Sequence, residues 1–277
     1  MRLRFTKMHG LGNDFIMIDA VSQKIPKLTP TKIRKLADRH FGIGCDQILV
    51  VETPKQPNAD FYYRIFNADG NEVQNCGNGA RCFARFVQQR GLCGKNTIVV
   101  DTLAGQLTLK VREDKRVSVD MGIPNFEPKD IPFSADTRQA TYDLMLKTQT
   151  LSIAAVSIGN PHAVTLVDNV DDYPVNSIGA EVEAHARFPE RVNAGFLHIV
   201  SPTEARLRVF ERGVGETLAC GTGACAAMAA GRMQGLLDSR VSMKLRGGDL
   251  DIEWQGEGHP VIMTGPTTNV FSGTVSL

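Results

Sequence analysis

Apolar and polar residues alternate along most of the chain, the period expected of strands with one buried face. The segments LTLKV (107–111), VSVDM (117–121), ARLRVFE (205–211) and VSMKL (241–245) predict four such strands. Helical signals are fewer. Residues 30–40 predict a helix, with Pro30 near its start and Gly42 just past its end. Two more helices are predicted immediately after Cys76 and Cys220. The second contains ACAAMAAG (224–231), apolar on every side. A helix of that kind is buried all round, so strands should wrap it.

The pattern occurs twice. FNADGNEVQNCGNGA (66–80) and FERGVGETLACGTGA (210–224) both place Glu four residues before Cys-Gly-x-Gly-Ala, with Cys76 and Cys220 separated by 144 positions. GNDFIMI (12–18) answers GNPHAVTL (159–166), pairing Asn13 with Asn160 at 147. Gly105 and Gly248 are 143 apart, as are Gly122 and Gly265. Four matches in one order, at nearly one offset, imply an internal duplication. The expected fold is α+β, with two pseudo-symmetric domains, each a curved, mostly antiparallel, barrel-like sheet around a central helix. The active site is expected in the cleft between them. The first repeat is placed at 1–120 and the second at 121–266, with the tail 267–277 returning to the first. The boundary falls near the proline-rich MGIPNFEPKDIP (121–132).

Composition narrows the class. The 277 residues are 42% hydrophobic and 22% charged, with a formal net charge of +1. Such a balance gives no electrostatic footprint for nucleic acid or an anionic membrane. MRLRFTKMHG has no signal-peptide core, and no apolar run approaches the ~20 residues of a membrane span. A soluble cytoplasmic protein is expected. The six cysteines show no CxxC pair and no Cys/His ligand spacing, which argues against a zinc site or a disulfide framework. Cys45, Cys82, Cys93 and Cys225 read as small buried hydrophobes.

Cys76 and Cys220 read differently. The Gly-x-Gly after each lets the backbone turn tightly and approach a ligand. A helix N-terminus there offers N–H groups and partial positive charge, which suit a carboxylate around Gly77-Asn78 and Gly221-Thr222. The same end should lower the thiol pKa, to roughly 3.5–7.5 in known cases. One thiolate and one thiol on opposite sides of a tetrahedral carbon are what inversion requires: one removes the α-proton and the other returns a proton to the opposite face. A racemase or epimerase without cofactor or metal follows. Glu211 could bind an ammonium group and Arg212 a second carboxylate. His162, inside a repeated motif, is a candidate for the cleft. Asn13, Asn67, Asn160 and Asn193 suit neutral hydrogen bonding to a zwitterion.

HGLGNDFI, NADGNEVQNCGNGARC, GNPHAV, VNAGF and FERGVGETLACGTGAC together resemble the motifs of the diaminopimelate epimerases. The resemblance runs from residue 6 to near the C-terminus. It implies interconversion of LL- and meso-diaminopimelate, without a cofactor, in lysine and peptidoglycan-precursor synthesis. It implies Cys76 and Cys220 as catalytic bases, and His162 and Glu211 as modulators of their pKa values. Substrate contacts are implied at Asn13, Gln47, Asn67, Gly77, Asn78, Asn160, Asn193, Glu211, Arg212, Gly221 and Thr222. It further implies a homodimer with an aromatic contact near the C-terminus, where Phe271 stands in place of the family's usual Tyr. Proline and hydroxyproline racemases of the same fold are the nearest alternative, but they read Cys-Gly-His-Gly where this chain has CGNG. Phenazine-biosynthesis-like isomerases lack the cysteine pair. A non-catalytic thiol redox sensor is the alternative from another class.

Overall fold

NDFIMID and QILVVE are too short for helices and buried along nearly their whole length, and both form strands. The structure is a computed structural model describing residues 2–73 and 76–277. Gln74 and Asn75, within the first cysteine motif, lie outside the described residues. The chain divides into two units, Met1–Val119 with Gly265–Leu277, and Asp120–Thr264.

The first unit runs β1 (Arg2–Gly10), β2 (Asn13–Asp19), α1 (Pro30–Ala37), β3 (Gln47–Glu52), β4 (Phe61–Asn67), β5 (Glu72–Val73), α2 (Gly77–Gln89), β6 (Thr97–Thr102), β7 (Gly105–Val111) and β8 (Val117–Asp120). The second runs β9 (Tyr142–Met145), β10 (Thr150–Ser157), β11 (Pro161–Leu166), α3 (Val175–Glu183), β12 (Asn193–Ser201), β13 (Glu204–Glu211), β14 (Gly215–Glu216), α4 (Gly221–Met233), β15 (Arg240–Leu245), β16 (Gly248–Glu253) and β17 (Ile262–Gly265). A last strand, β18 (Thr268–Ser276), pairs antiparallel with β1, Arg2 opposite Ser276.

Each unit is a curved sheet laid out in the same order. In the first it is β18–β1–β2–β3–β4–β6–β7–β8, parallel only at β2/β3 and β4/β6. In the second it is β9–β10–β11–β12–β13–β15–β16–β17, parallel only at β11/β12 and β13/β15. Register repeats as well: Phe15 faces Gln47 in one unit and His162 faces Asn193 in the other. The small β5 and β14 pair with the ends of β4 and β13, just before each cysteine.

The curved sheets enclose α2 and α4. Helix α2 packs against β1, β2, β3 and β7, and α4 against the equivalent β10, β11, β12 and β16, and also β13. Helix α4 is mostly alanine and glycine because the space is tight: a Cβ on Gly231 would meet Leu237 Cδ1 at 2.6 Å. Helix α2 fills its sheet with Phe83, Phe86 and Val87 instead.

Three local expectations need correction. Helix α1 stops at Ala37, short of 40, because Asp38 turns to extended backbone and the amides of Ile43 and Gly44 take the Leu36 carbonyl. Thr29 caps its other end through the Lys32 amide. The proline-rich stretch 121–132, read from its composition as a linker at the boundary, is packed instead: Ile131, and Phe133 just beyond it, enter the second unit's core with Tyr142 and Phe196. Cys45, Cys82 and Cys225 are buried, but Cys93 is only half-buried, in the loop after α2.

Candidate functional site

Cys76 is the N-cap residue of α2. Its extended backbone (φ −151°, ψ 115°) turns Sγ toward the first turn, where it accepts from the Gly79 amide at 3.5 Å. Gly79 must lack a side chain, because a Cβ there would lie 2.5 Å from the Tyr63 hydroxyl. The Cys76 thiol donates to Asn13 Oδ1 at 3.7 Å, and Asn78 Nδ2 donates to the same oxygen at 3.2 Å. Asn13 holds its own Nδ2 on Asp46 Oδ2 at 2.9 Å. At the adjoining ends of β3 and β4, Gln47 Nε2 donates to Asn67 Oδ1 at 2.8 Å. Gln47 Oε1 is buried with no hydrogen-bond partner among the described residues. An orphaned carbonyl oxygen of this kind is suited to a donor from a ligand.

Cys220 holds the N-cap position of α4 in similarly extended backbone (φ −117°, ψ 108°) but is more deeply buried, at 4% exposure. Thr222, two residues on as Asn78 is from Cys76, lies 3.6 Å from Sγ. Asn160 Nδ2 donates to Thr222 Oγ1 at 3.3 Å, which leaves the threonine hydroxyl hydrogen to point at the sulfur. Glu211 ends β13 where Asn67 ends β4. It accepts a short hydrogen bond from the Thr217 hydroxyl and another from the Cys220 thiol. The next residue is pinned too, for the Arg212 amide donates to Asn193 Oδ1 at 3.0 Å and Asn193 Nδ2 to the Pro161 carbonyl at 2.9 Å. The Arg212 side chain is exposed. Its guanidinium reaches the Glu190 carbonyl at 3.0 Å and makes no ion pair among the described residues.

Protonation here departs from the sequence expectation. Burial pushes the Cys220 thiol well above its ordinary value, and the Glu211 carboxylate pushes it further. Thr222 and the Gly223 amide pull it down, but burial and a neighbouring carboxylate outweigh a helix end worth about 1 kcal/mol. Cys220 therefore rests as a thiol. The structural cysteines behave as inert groups, Cys45 and Cys82 both being pushed up to about 12 by burial.

His162 is 1% exposed, and burial, helped by the charge of Arg212, lowers it to about 3. It is a neutral imidazole. Asn160 commits Nδ2 to Thr222, so its Oδ1 must accept from His162 Nε2, at 3.0 Å. That leaves Nδ1 as a buried lone pair, without a partner among the described residues. Within its own unit a chain of hydrogen bonds thus runs from His162 through Asn160 and Thr222 to Cys220. A stability effect follows. A histidine held at about 3 against a usual 6.5 binds its proton only in the unfolded chain between those values. Its contribution is intact above pH 6.5 and falls by about 1.4 kcal/mol per pH unit as pH drops toward 3. His162→Asn should flatten that dependence, read as the change in urea midpoint between pH 7.5 and 5.0 relative to the unsubstituted protein. Parallel curves for the two proteins would show that His162 is not buried neutral.

The first unit therefore places Asn13, Gly77 and Asn78 at Cys76, with Gln47 and Asn67 paired to each other. The second places Glu211, Gly221 and Thr222 at Cys220, with Asn160 and His162 behind Thr222, and Asn193 on the backbone of Arg212, whose side chain is exposed. Phe271 stands apart on β18, its ring edge-on to Phe5 with centroids 5.8 Å apart. Sequence reasoning missed Asp46, which precedes the nominated Gln47, and Thr217, three residues before Cys220. Neither lies in a strand, and only the folded loops bring their side chains to Asn13 and Glu211.

A sequence profile described as diaminopimelate epimerase matches residues 5–127 and 154–270. The chain is 62% identical over 277 residues to the diaminopimelate epimerase of Teredinibacter turnerae, covering 100% of both chains. It is 59% identical to that of Nitrosomonas europaea, again over 100% of both. Among solved structures, a hydroxyproline epimerase from Agrobacterium vitis superposes with TM-score 0.72 at 15% identity, covering 100% of this chain and 93% of that one. A phenazine biosynthesis protein of the PhzF family from Bacillus anthracis gives 0.71 at 17%, covering 100% of both. At those identities the two structures speak for the fold alone. No helix among the described residues is long and apolar enough to cross a membrane.

Proposed function

The chain belongs to the diaminopimelate epimerase family and is an isomerase, and from that premise we propose that it interconverts LL- and meso-diaminopimelate using Cys76 and Cys220 as two bases, without a cofactor. The observation that carries the mechanism is the pair of thiols, each the N-cap of a buried helix at equivalent places in a duplicated fold. The proton balance is simple. A cysteine thiolate takes the α-proton and becomes a thiol, and the electron pair stays on the α-carbon as a carbanion conjugated with the carboxylate. The other cysteine thiol gives its proton to the opposite face and becomes the thiolate. The amides of Gly77, Asn78, Gly221 and Thr222, in the first helical turns, suit the carboxylate on which charge accumulates. The Gln47 carbonyl and the Glu211 carboxylate suit an ammonium group, and Arg212 suits the second carboxylate.

In this reading the enzyme works in the cytoplasm, in lysine and peptidoglycan-precursor synthesis. Proton NMR of the protein with LL-diaminopimelate in D₂O, with reductant and chelator present, tests it. Appearance of the meso isomer with deuterium at the inverted carbon is expected. Exchange with proline or hydroxyproline but not with diaminopimelate would replace the substrate, and no exchange at all would leave a thiol sensor.

The reading extends to a homodimer through Phe271. Val270 and Phe271 leave 53% and 47% of their surface exposed on β18, an apolar pair with a rigid ring of the type that anchors interfaces. Phe271→Asp should convert the dimer to a monomer at micromolar concentration, measured by light scattering on a sizing column. An unchanged mass would remove Phe271 from the contact.

A further inference from the structure

We infer that Asp46 is a positioning residue for the epimerisation, acting through Asn13 on the Cys76 thiol. An asparagine amide can present either its oxygen or its NH₂ to a neighbour, and the two have opposite effects on a thiol. A carboxylate only accepts, so Asp46 Oδ2, 2.9 Å from the Asn13 amide nitrogen, fixes which end is which. Asn13 must then turn its oxygen to Cys76.

Asp46 is itself clamped. Its Oδ2 also accepts from the Asp14 amide at 3.1 Å, its Oδ1 from Arg39 Nη2 at 2.8 Å, and its own amide donates to Asp14 Oδ1 at 2.8 Å. Arg39 meanwhile forks across both Asp14 oxygens at 2.8 and 2.9 Å, and Lys7 Nζ lies 2.7 Å from Asp14. Burial alone would raise Asp14, but Arg39 and Lys7 outweigh it and hold the carboxyl at about 2. Asp14 therefore stays charged through the working pH range and keeps its hold on Arg39. The second unit solves the same problem with another residue. Val192 precedes Asn193 where Asp46 precedes Gln47, and it is His162 that orients Asn160. There the asparagine turns NH₂, not oxygen, toward the helix cap, so the two half-sites hold their thiols in electrostatically different surroundings.

The inference rests on Cys76 being one of the bases. Its test is a double-mutant cycle on kcat/KM for LL-diaminopimelate. Asp46→Ala should lose about tenfold, and the Asn13→Ala, Asp46→Ala pair should be no worse than Asn13→Ala within about twofold, because Asp46 acts only through Asn13. Asp46→Asn should stay within about threefold, since its oxygen can remain on Asn13 while the exposed Arg39 swings away. Multiplicative losses in the pair, full activity of Asp46→Ala, or an Asp46→Asn as impaired as the alanine variant would each overturn the inference. Should Asp46→Ala not fold, Asp46→Val, the residue the second unit uses, takes its place in the cycle. Turnover by Cys76→Ala would instead strike the two-base reading, so the two failures are distinguishable.

Discussion

Cys76→Ala and Cys220→Ala are each expected to slow epimerisation by about 10²–10⁴-fold, the range removed with a positioned acid or base. In the proposed mechanism each variant deletes one of two proton carriers, and among the described residues the groups beside Cys220 are already committed elsewhere. The groups nearest Cys220 are Glu211, already bonded to Thr217, and Thr222, bonded to Asn160. His162 is neutral and cannot supply a proton near pH 7. Folding should survive. Alanine follows each cap without strain in extended backbone, and the loss of a sulfur leaves only a small cavity. Circular dichroism checks that point, and the NMR assay reads the activity. Serine substitutions should be more informative still. A hydroxyl is too weak an acid to serve as thiolate but can occupy the site, so each Cys→Ser variant should exchange the α-proton of one stereoisomer and not the other. Near-normal turnover by either alanine variant would sink the two-base mechanism.

The resting state predicts an asymmetry in that experiment. Cys220 is held as a thiol by burial and by Glu211, so in the free protein it stands ready as the acid. To act as base it must first give up its proton against both effects. Substrate can change this: an ammonium group at Glu211 would cancel the carboxylate's charge and let the thiolate form. In the proposed function, the same carboxylate that keeps the thiol protonated in the empty protein would then link ionisation to substrate binding.

What was legible in the residues, and what was not, divides along physical lines. The duplication showed because the cysteine motifs need glycine at fixed offsets, and such constraints survive while packing residues drift. The buried helix α4 showed because no face of ACAAMAAG is polar. By contrast, Gln47 sits in a sequence that reads as an ordinary strand entry, and only the pairing of β2, β3 and β4 brings it to Asn67. His162 showed only as a member of a repeated motif. Within its own unit its ring reaches Cys220 through two intervening side chains, a link the sequence does not display, at the position Phe15 fills in the other unit. The thiol pKa was misjudged for Cys220 because a helix N-terminus is visible in sequence, whereas the burial opposing it is not.

Arg212→Lys is expected to raise KM by about 10–100-fold with a smaller loss in kcat, the scale of a charge-assisted bidentate pair reduced to a point charge. The loop leaves little freedom to compensate. The Arg212 amide is tied to Asn193, the Gly213 amide donates to Glu183 Oε1 at 2.9 Å, and Arg191 holds that carboxylate at 3.1 Å. With backbone fixed on both sides, the side chain alone must span to the ligand, and lysine carries no planar fork. The guanidinium's one bond within the described residues is to the Glu190 carbonyl, so most of its donors remain for a ligand. Lysine, which is diaminopimelate without one terminal carboxylate, separates this role from a structural one. If Arg212 holds that carboxylate, lysine should compete poorly with substrate in the unsubstituted enzyme. Arg212→Lys should then narrow the gap between the two ligands. A KM that does not move, or an undiminished preference for the second carboxylate in the variant, would place that recognition elsewhere.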